Sequence, residues 1–274
     1  PILLIDSHCH LDRLDLSAHG GSLDAALAAA RGRGVGHFLC IGISADNAAA
    51  VKALSERYAD VDCTVGVHPL DLQPGVAPAL DWLLAELNHP HVVAIGETGL
   101  DYYGMEDRKG GRSIADMEWQ RERFRTHIRA ARACGKPLVI HTRSASDDTL
   151  AILREEGEDG AGNLAGGVFH CFTESMQVAR AALDLGYYIS FSGIVTFKSA
   201  QELRDVVAFV PLDRMLIETD SPYLAPVPYR GKTNNPSYVP LVAQQIAQTR
   251  AIALETVAQA TSRNFEALFK GVVA

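Results

Sequence analysis

The sequence has few cysteines, and they follow no pattern that would pair them or bind zinc. Its five cysteines are scattered along the chain, without a C-x-x-C pair, and their number is odd. These features argue against a disulfide framework and against a cysteine-based zinc knuckle. We therefore expect reduced thiols in the core.

Long hydrophobic runs are also missing. No apolar stretch approaches the roughly 18 to 20 residues that a membrane-spanning helix needs. The first residues, PILLIDSHCH, lack the basic flank and the small-residue cleavage site of a signal peptide. We therefore predict a cytoplasmic protein with no membrane partner, and no feature of the sequence indicates an obligatory protein partner.

The sequence has fewer basic than acidic residues, 25 against 33, which gives a formal net charge of -8. Such a balance works against non-specific attraction to a polyanion, since proteins that bind nucleic acid usually present a basic surface. A nucleic-acid substrate would therefore require a local group of cations.

The sequence also lacks a G-x-G-x-x-G motif after its first strand, where a dinucleotide-binding fold would place one. Eight short apolar or β-branched runs alternate with segments long enough for crossover helices, a pattern typical of a parallel sheet. The runs are LLIDSH, VGHFLCIG, VDCTVGVH, VVAIGE, PLVIHT, GVFHCF, YYISFSG and MLIETD. We predict a single α/β domain over residues 1–274, folded as a TIM (β/α)8 barrel, with polar loops at 102–115 and 221–236.

Six of the eight predicted strands end in a side chain that can bind a metal or move a proton. Active sites of α/β barrels lie at the carboxyl ends of the strands, which makes these positions informative. The residues are His8, His10, His68, Glu97, His141, His170 and Asp220. For the other five of the ten histidines we expect structural or solvated roles; these are His19, His37, His89, His91 and His127.

His8 and His10 are two residues apart, so both side chains leave the first strand on the same face. Asp6 shares that face. It could accept a hydrogen bond that fixes an imidazole tautomer, or it could cap a loop as a buried carboxylate.

Glu97 ends the fourth strand, and its two carboxylate oxygens can bridge two cations. We predict one metal position formed by His8, His10, Glu97 and Asp220, and a second completed by His141 and His170. The mixture of imidazoles and carboxylates favours zinc, manganese or another transition metal over magnesium, although the sequence selects no single metal. The glycines that flank Glu97 would permit close approach of the backbone to a ligand.

The ordered motifs of the chain resemble the TatD family of metal-dependent deoxyribonucleases, from end to end. They are DSHCHLD (6–12), GVHP (66–69), GETGLDYY (96–103), VIHTR (139–143), HCF (170–172), ISFSGIVTFK (189–198) and ETDSPYLAPVPYRGKTNNP (218–236). The resemblance implies an amidohydrolase-like barrel, two divalent cations on the six predicted ligands, and hydrolysis of DNA phosphodiesters, often as a 3'-to-5' exonuclease. It places His68 close to the substrate. Asn235 departs from the family pattern, in which a glutamate more often follows Asn234.

Two cations could activate a shared water, and Asp220 is our candidate general base in that reaction. Four cationic residues on the same rim could hold backbone phosphates: Arg143, Lys198, Arg230 and Lys232. Tyr102 and Tyr103 could stack on a terminal base or pack against the top of the barrel. If they stack, single-stranded or frayed DNA ends are the favoured substrates.

Two other interpretations remain open from the residues. The same metals could act on a carbonyl, as in a hydrolase of amides or esters such as a deacylase of aminoacyl-nucleic acid. Cyclic-amide hydrolysis with a carbamylated lysine is disfavoured, because the fourth strand ends in Glu97. A catalytically silent binding protein would need an incomplete ligand set, whereas all six positions are filled here.

Overall fold

The computed structural model describes residues 3–71, 78–104 and 114–269. The strands are β1 (Leu4–Cys9), β2 (Val35–Cys40), β3 (Val61–Val65), β4 (Val92–Asp101), β5 (Leu138–Arg143), β6 (Gly167–Phe169), β7 (Tyr188–Phe191) and β8 (Met215–Ile217). The helices are α1 (Leu23–Gly32), α2 (Ala45–Arg57), α3 (Leu80–Glu86), α4 (Glu118–Cys134), α5 (Ser146–Glu155), α6 (Met176–Asp184), α7 (Gln201–Phe209), α8 (Val239–Arg250) and α9 (Leu254–Leu268).

The eight strands form one parallel sheet in which neighbours in sequence are neighbours in space, from β1 to β8. The first and last strands meet beyond their carboxyl ends. There the Asp220 N–H donates to the His8 carbonyl at 2.8 Å, and the His10 N–H donates to the Ser221 carbonyl at 2.9 Å. The predicted (β/α)8 barrel is confirmed.

Alternation along the strands separates the hydrophobic core into two layers. Residues such as Phe38, Ile95 and Ile140 belong to a large cluster between the strands and the surrounding helices. A smaller cluster, to which Leu39 and Val139 belong, uses the alternate positions and fills the barrel interior. Strands buried on both faces explain why their sequences are nearly continuous apolar runs.

Several helices begin where the sequence supplies a capping side chain. The Ser22 hydroxyl accepts the N–H of Ala25 at the start of α1, and Ser44 and Asn47 cap α2 reciprocally. The segments between the predicted strands form the crossover helices that the alternation predicts: α1 to α7 each connect two consecutive strands, and α8 and α9 follow β8. Part of the predicted loop 102–115, residues 105–113, lies outside the described residues.

All five cysteines are free thiols, as their spacing predicted. Within the described ranges, every helix is too short or too polar to cross a membrane.

Candidate metal centre

The predicted ligands come together at the mouth of the barrel, where the strands end. His8 belongs to β1 and His10 follows it, while Glu97 and His141 lie in β4 and β5. His170 comes directly after β6, and Asp220 comes three residues after β8. The architecture therefore gathers side chains that are more than 200 residues apart in the chain.

Glu97 is buried at the centre of this group, and its two oxygens face different histidines. Oε2 lies 3.3 Å from His8 Nε2 and 4.0 Å from His10 Nε2. Oε1 lies 2.7 Å from His170 Nε2 and 3.2 Å from His141 Nδ1. One carboxylate thus stands between two sets of imidazoles, which is the arrangement a bridging ligand needs.

Asp220 completes the first set. Its Oδ1 lies 3.2 Å from His10 Nε2 and 3.4 Å from His8 Nε2. The residue adopts a left-handed backbone conformation, with φ of 56°. Such a conformation costs a non-glycine residue on the order of 1 kcal/mol, and here it directs the carboxylate toward the two histidines.

The imidazole nitrogens and carboxylate oxygens at this site are suited to bind a cation. Ring nitrogens that lack a hydrogen-bond partner also indicate a cation site. Both ring nitrogens of His8 and the Nδ1 of His10 are buried without a hydrogen-bond partner among the described residues. The rings of His8 and His170 stack with centroids 3.7 Å apart. Because buried polar atoms are normally satisfied, nitrogens left in this way next to carboxylates are typical of metal ligands.

Electrostatics hold the two carboxylates ionised. Burial alone would raise the pKa of Glu97, but the neighbouring histidines, above all His170, outweigh it and keep that pKa well below its usual value. Asp220 shows the same balance, since burial opposes ionisation while the contact with His10 holds its pKa low. Burial lowers the pKa of His8, which keeps its imidazole neutral and able to ligate.

Two carboxylates that the sequence analysis missed support the imidazoles from behind. Glu218 Oε2 lies 3.1 Å from His170 Nδ1, and Asp101 Oδ2 lies 2.8 Å from His141 Nε2. Such partners fix ring orientation and raise the basicity of the ligating nitrogen. A usable signal was present for Glu218, because it precedes Asp220 by two residues, as His8 precedes His10.

Asp6 accepts no hydrogen bond from an imidazole among the described residues, so it does not fix a histidine tautomer, which was the first of its two predicted roles. Its carboxylate accepts the backbone N–H groups of His8, at 3.2 Å, and Thr219, at 3.0 Å, together with the Thr219 hydroxyl. Asp6 therefore fastens β1 to the segment after β8 rather than fixing an imidazole tautomer.

His68 also contacts Glu97, with its Nε2 3.2 Å from Glu97 Oε1. Its Nδ1 accepts the N–H of Leu70 at 3.0 Å. The neutral ring therefore carries its proton on Nε2, which faces the site. Among the residues that the structure describes, His68, Glu97 and His141 form one of three groups whose potential ligand atoms lie within 4.8 Å of one another.

For Tyr102 the structure supports the second alternative, packing against the top of the barrel, and not a role in binding substrate. Its side chain is buried, and its hydroxyl donates to Asp148 and accepts from Arg121, each at 2.7 Å, so its ring is not available to stack on a base. The neighbouring Tyr103 is 58% exposed, and the Arg143 guanidinium lies 3.6 Å from its ring centroid.

The predicted rim cations lie on exposed positions of the described structure. They are Arg143, Lys198, Arg230 and Lys232. Arg143 ends β5, two residues after His141. Arg230 covers the ring of Phe197, the residue before Lys198, with its guanidinium 3.9 Å from the ring centroid.

The glycines around Glu97 serve the barrel rather than a ligand. A Cβ at Gly99 would lie 1.8 Å from the His141 carbonyl oxygen, and one at Gly96 would lie 2.6 Å from the Val139 carbonyl oxygen. Both glycines also have φ near 140°, a conformation that disfavours other residues. The close approach is between β4 and β5 backbones.

A barrel with buried imidazoles and carboxylates around a shared glutamate at its carboxyl mouth has the architecture of a metal-dependent hydrolase. Comparison with known proteins agrees: residues 5–270 match the TatD related DNase family, and the chain belongs to that family.

The relatives share most of their length with this chain. An uncharacterized metal-dependent hydrolase of Escherichia coli strain K12, YcfH, is 46% identical over 98% of this chain and 96% of its own. The 3'-5' ssDNA/RNA exonuclease TatD of Salmonella typhimurium is 32% identical over 91% of this chain and 93% of its own. The crystal structure of YJJV, a TatD homolog from Escherichia coli K12, superposes with a TM-score of 0.84 at 30% identity and 97% coverage of both chains.

Proposed function

We propose that the protein hydrolyses phosphodiester bonds of nucleic acid, removing nucleotides from the 3' end of single-stranded or frayed DNA. The observation that carries this proposal is the position of Glu97, whose two oxygens face two separate sets of imidazoles. The activity named for the Salmonella relative supports the choice of substrate and of polarity.

Two divalent cations fit this arrangement of ligands. His8, His10, Glu97 and Asp220 would hold one, and Glu97, His141 and His170 would hold the other. When bound, such cations lower the pKa of a water molecule and neutralise charge on the attacking and leaving oxygens. No nucleophilic side chain is then needed.

Asp220 is the proposed proton acceptor. Its low pKa keeps the carboxylate ionised near neutral pH, and its left-handed backbone fixes the carboxylate against His8 and His10. His68 would donate from Nε2 to a phosphate oxygen, because its other ring nitrogen is already occupied by Leu70. Both residues act at atoms that the fold holds in place.

The exposed cations Arg143, Lys198, Arg230 and Lys232 would hold the phosphates of the strand. They offer local positive charge on a protein whose net charge is -8. Backbone phosphate contacts fix register without selecting sequence, so we expect little sequence preference.

The test is cleavage of 5'-labelled oligonucleotides by the purified protein with manganese, in parallel with acyl substrates. We expect stepwise shortening from the 3' end, faster on single strands than on blunt duplexes, and abolished by a chelator. Replacing Asp220 with Asn should lower kcat about 1000-fold. The control is Asp213→Asn, an exposed carboxylate just before β8 at the opposite end of the barrel.

Equal rates on single strands and blunt duplexes would contradict the proposed strand preference. Hydrolysis of acyl substrates alone would replace the nuclease proposal with a deacylase activity at the same residues. Retention of activity in the Asp220 variant would remove that residue from the reaction.

A further inference from the structure

An exposed aromatic side chain that the sequence analysis did not single out lies against the metal centre. Tyr223 is 47% exposed, and its ring centroid is 5.7 Å from that of His10, at an interplanar angle of 65°. Exposed tyrosine faces beside a phosphate site are suited to stacking on nucleic-acid bases.

The position of Tyr223 is fixed by the same loop that presents Asp220. The Tyr223 N–H donates to the Asp220 carbonyl at 3.0 Å, and its carbonyl accepts from the Asn234 side chain at 2.7 Å. Asn234, which is buried, also donates to the Thr219 carbonyl at 2.8 Å. A platform held in this way loses little entropy when it binds a ligand.

Tyr223 belongs to a surface that we call the β7–β8 rim, formed by residues 193–198 and 221–232. The two segments pack together, since the Val227 N–H donates to the Thr196 hydroxyl at 2.9 Å. The β7–β8 rim combines exposed apolar side chains, Leu224 and Val227, with the cations Lys198, Arg230 and Lys232. Apolar surface beside phosphate-binding charge is what a continuing single strand requires.

The β5–β6 side of the mouth has mixed charge, because Arg143 ends β5 and carboxylates line a hollow in the following loops. An open hollow of about 370 Å³ there is lined by Asp147, Asp148 and Glu174, among others. Its lining includes Ser144, three residues after His141 in the loop that follows β5, and Glu174, four residues after His170 in the loop that follows β6. Asp148 already accepts from the Tyr102 hydroxyl at 2.7 Å and lies 3.6 Å from Arg121. Carboxylates of the hollow can accept hydrogen bonds from a terminal hydroxyl and from base amino groups.

We infer that Tyr223 stacks on the penultimate base of the bound strand, so that the strand continues over the β7–β8 rim while its terminal nucleoside lies toward the acidic hollow. This inference rests on the proposed function. The inference specifies the direction in which the strand crosses the barrel mouth, and it assigns Tyr223 to hold the strand in that direction.

The experiment uses three single-stranded oligonucleotides with manganese: one intact, one abasic at the 3'-terminal position and one abasic at the penultimate position. Tyr223→Ala should raise KM for the intact oligonucleotide about tenfold. The same loss should persist with the terminal abasic site and shrink below about twofold with the penultimate one. Tyr223→Phe, which keeps the ring, should behave as the wild type.

Phe209→Ala is the matched control, because it removes an exposed aromatic at the end of α7, near the start of β8. It should leave all three KM values unchanged. Thermal unfolding and metal content of each variant report whether the fold and the centre are intact.

Equal loss on all three oligonucleotides, a loss that disappears with the terminal abasic site instead, or no loss at all would overturn the assignment of Tyr223 while leaving the nuclease proposal standing. If the wild-type protein cleaved none of the three, the proposed function would fail and this inference with it.

Discussion

Glu218 contributes to the centre through another residue. Its carboxylate is fully buried and holds His170 Nδ1 with one oxygen and the Cys171 N–H, at 2.8 Å, with the other. Burial lowers the pKa of His170, but Glu97 and Glu218 together raise it well above its usual value. The imidazole is therefore more basic, and its ring cannot rotate away from Glu97.

Replacing Glu218 with Gln should weaken the binding of a metal by His170 about 10- to 100-fold, because the imidazole loses its charged partner. Competition with a chromophoric chelator measures this directly. Glu202→Gln, an exposed carboxylate on α7, is the control and should change nothing. Unchanged metal affinity in the Glu218 variant would show that hydrogen bonding to His170 is not what holds its ring.

For single residues, the sequence predicted which side chains gather at the barrel mouth, but it did not predict which of the adjacent side chains are exposed. His8, His10, His141, His170 and Asp220 could be found because each lies at the carboxyl end of a strand that the sequence predicts. Which of Tyr102 and Tyr103 is buried could not be predicted, because the pairing of β4 with β5 shifts register between Ile95 and Thr98. Simple alternation from Glu97 fails across such an irregularity.

Between β4 and β5, Gly99 permits the backbones to approach closely beside His141. Gly99→Ala should lower the free energy of unfolding by more than about 3 kcal/mol, because its Cβ would strike the His141 carbonyl oxygen and its φ is 137°. Gly21→Ala is the matched control, since φ there is 74° and the space is open. It should cost only about 1–2 kcal/mol. Urea denaturation measures both, and equal losses would show that backbone conformation alone, without the clash, decides the cost.

Helix α4 is tied to the loop after β3 by His127. The buried imidazole accepts the Val67 N–H at 2.9 Å through Nε2 and donates to the Arg123 carbonyl at 2.7 Å through Nδ1. Burial lowers the pKa of His127 to about 4. The structural role expected for this histidine agrees with these contacts.

The low pKa of His127 makes the stability of the protein depend on pH. Between about pH 4 and 6.5 the unfolded chain binds a proton that the folded protein does not, so stability falls as pH falls through this window. From near pH 7.5 to near pH 5.5 this residue should account for a loss of about 1.4 kcal/mol. Urea denaturation of wild type and His127→Gln, both in chelator, isolates the difference. If the free energy of unfolding changed with pH in the same way in both proteins, His127 would not be the source of the pH dependence.

The helical layer was less predictable than the strands. Apolar strand runs are unmistakable in a barrel, because both faces of each strand are buried. Helix α5 follows β5 as the alternation of strands and helices predicts, and its first turn carries Asp147 and Asp148, which are favourable at a helix N-terminus. Tertiary packing of Leu150 and Leu153 stabilises it.

Across the whole molecule, a net charge of -8 must be reconciled with an anionic substrate. If Arg230 holds a phosphate, the logarithm of KM for a single-stranded oligonucleotide should rise with the logarithm of salt concentration, and Arg230→Gln should reduce that slope by about 0.7. Arg33→Gln, an exposed cation just after α1 at the other end of the barrel, should leave the slope unchanged. An identical slope in both variants would exclude Arg230 from phosphate contact.

The bond from Asp6 to Thr219 joins residues 213 positions apart. Since His8 and Asp220 flank this bond, a nascent polypeptide still emerging from the ribosome has one half of the first ligand set long before the other half is synthesised. Contacts of such high sequence separation form late in folding, because closing the loop between them costs entropy that only the completed barrel offsets. If His8, His10, Glu97 and Asp220 hold a cation as proposed, its uptake would report that the polypeptide has been made at least through Asp220 and that its two ends have come together.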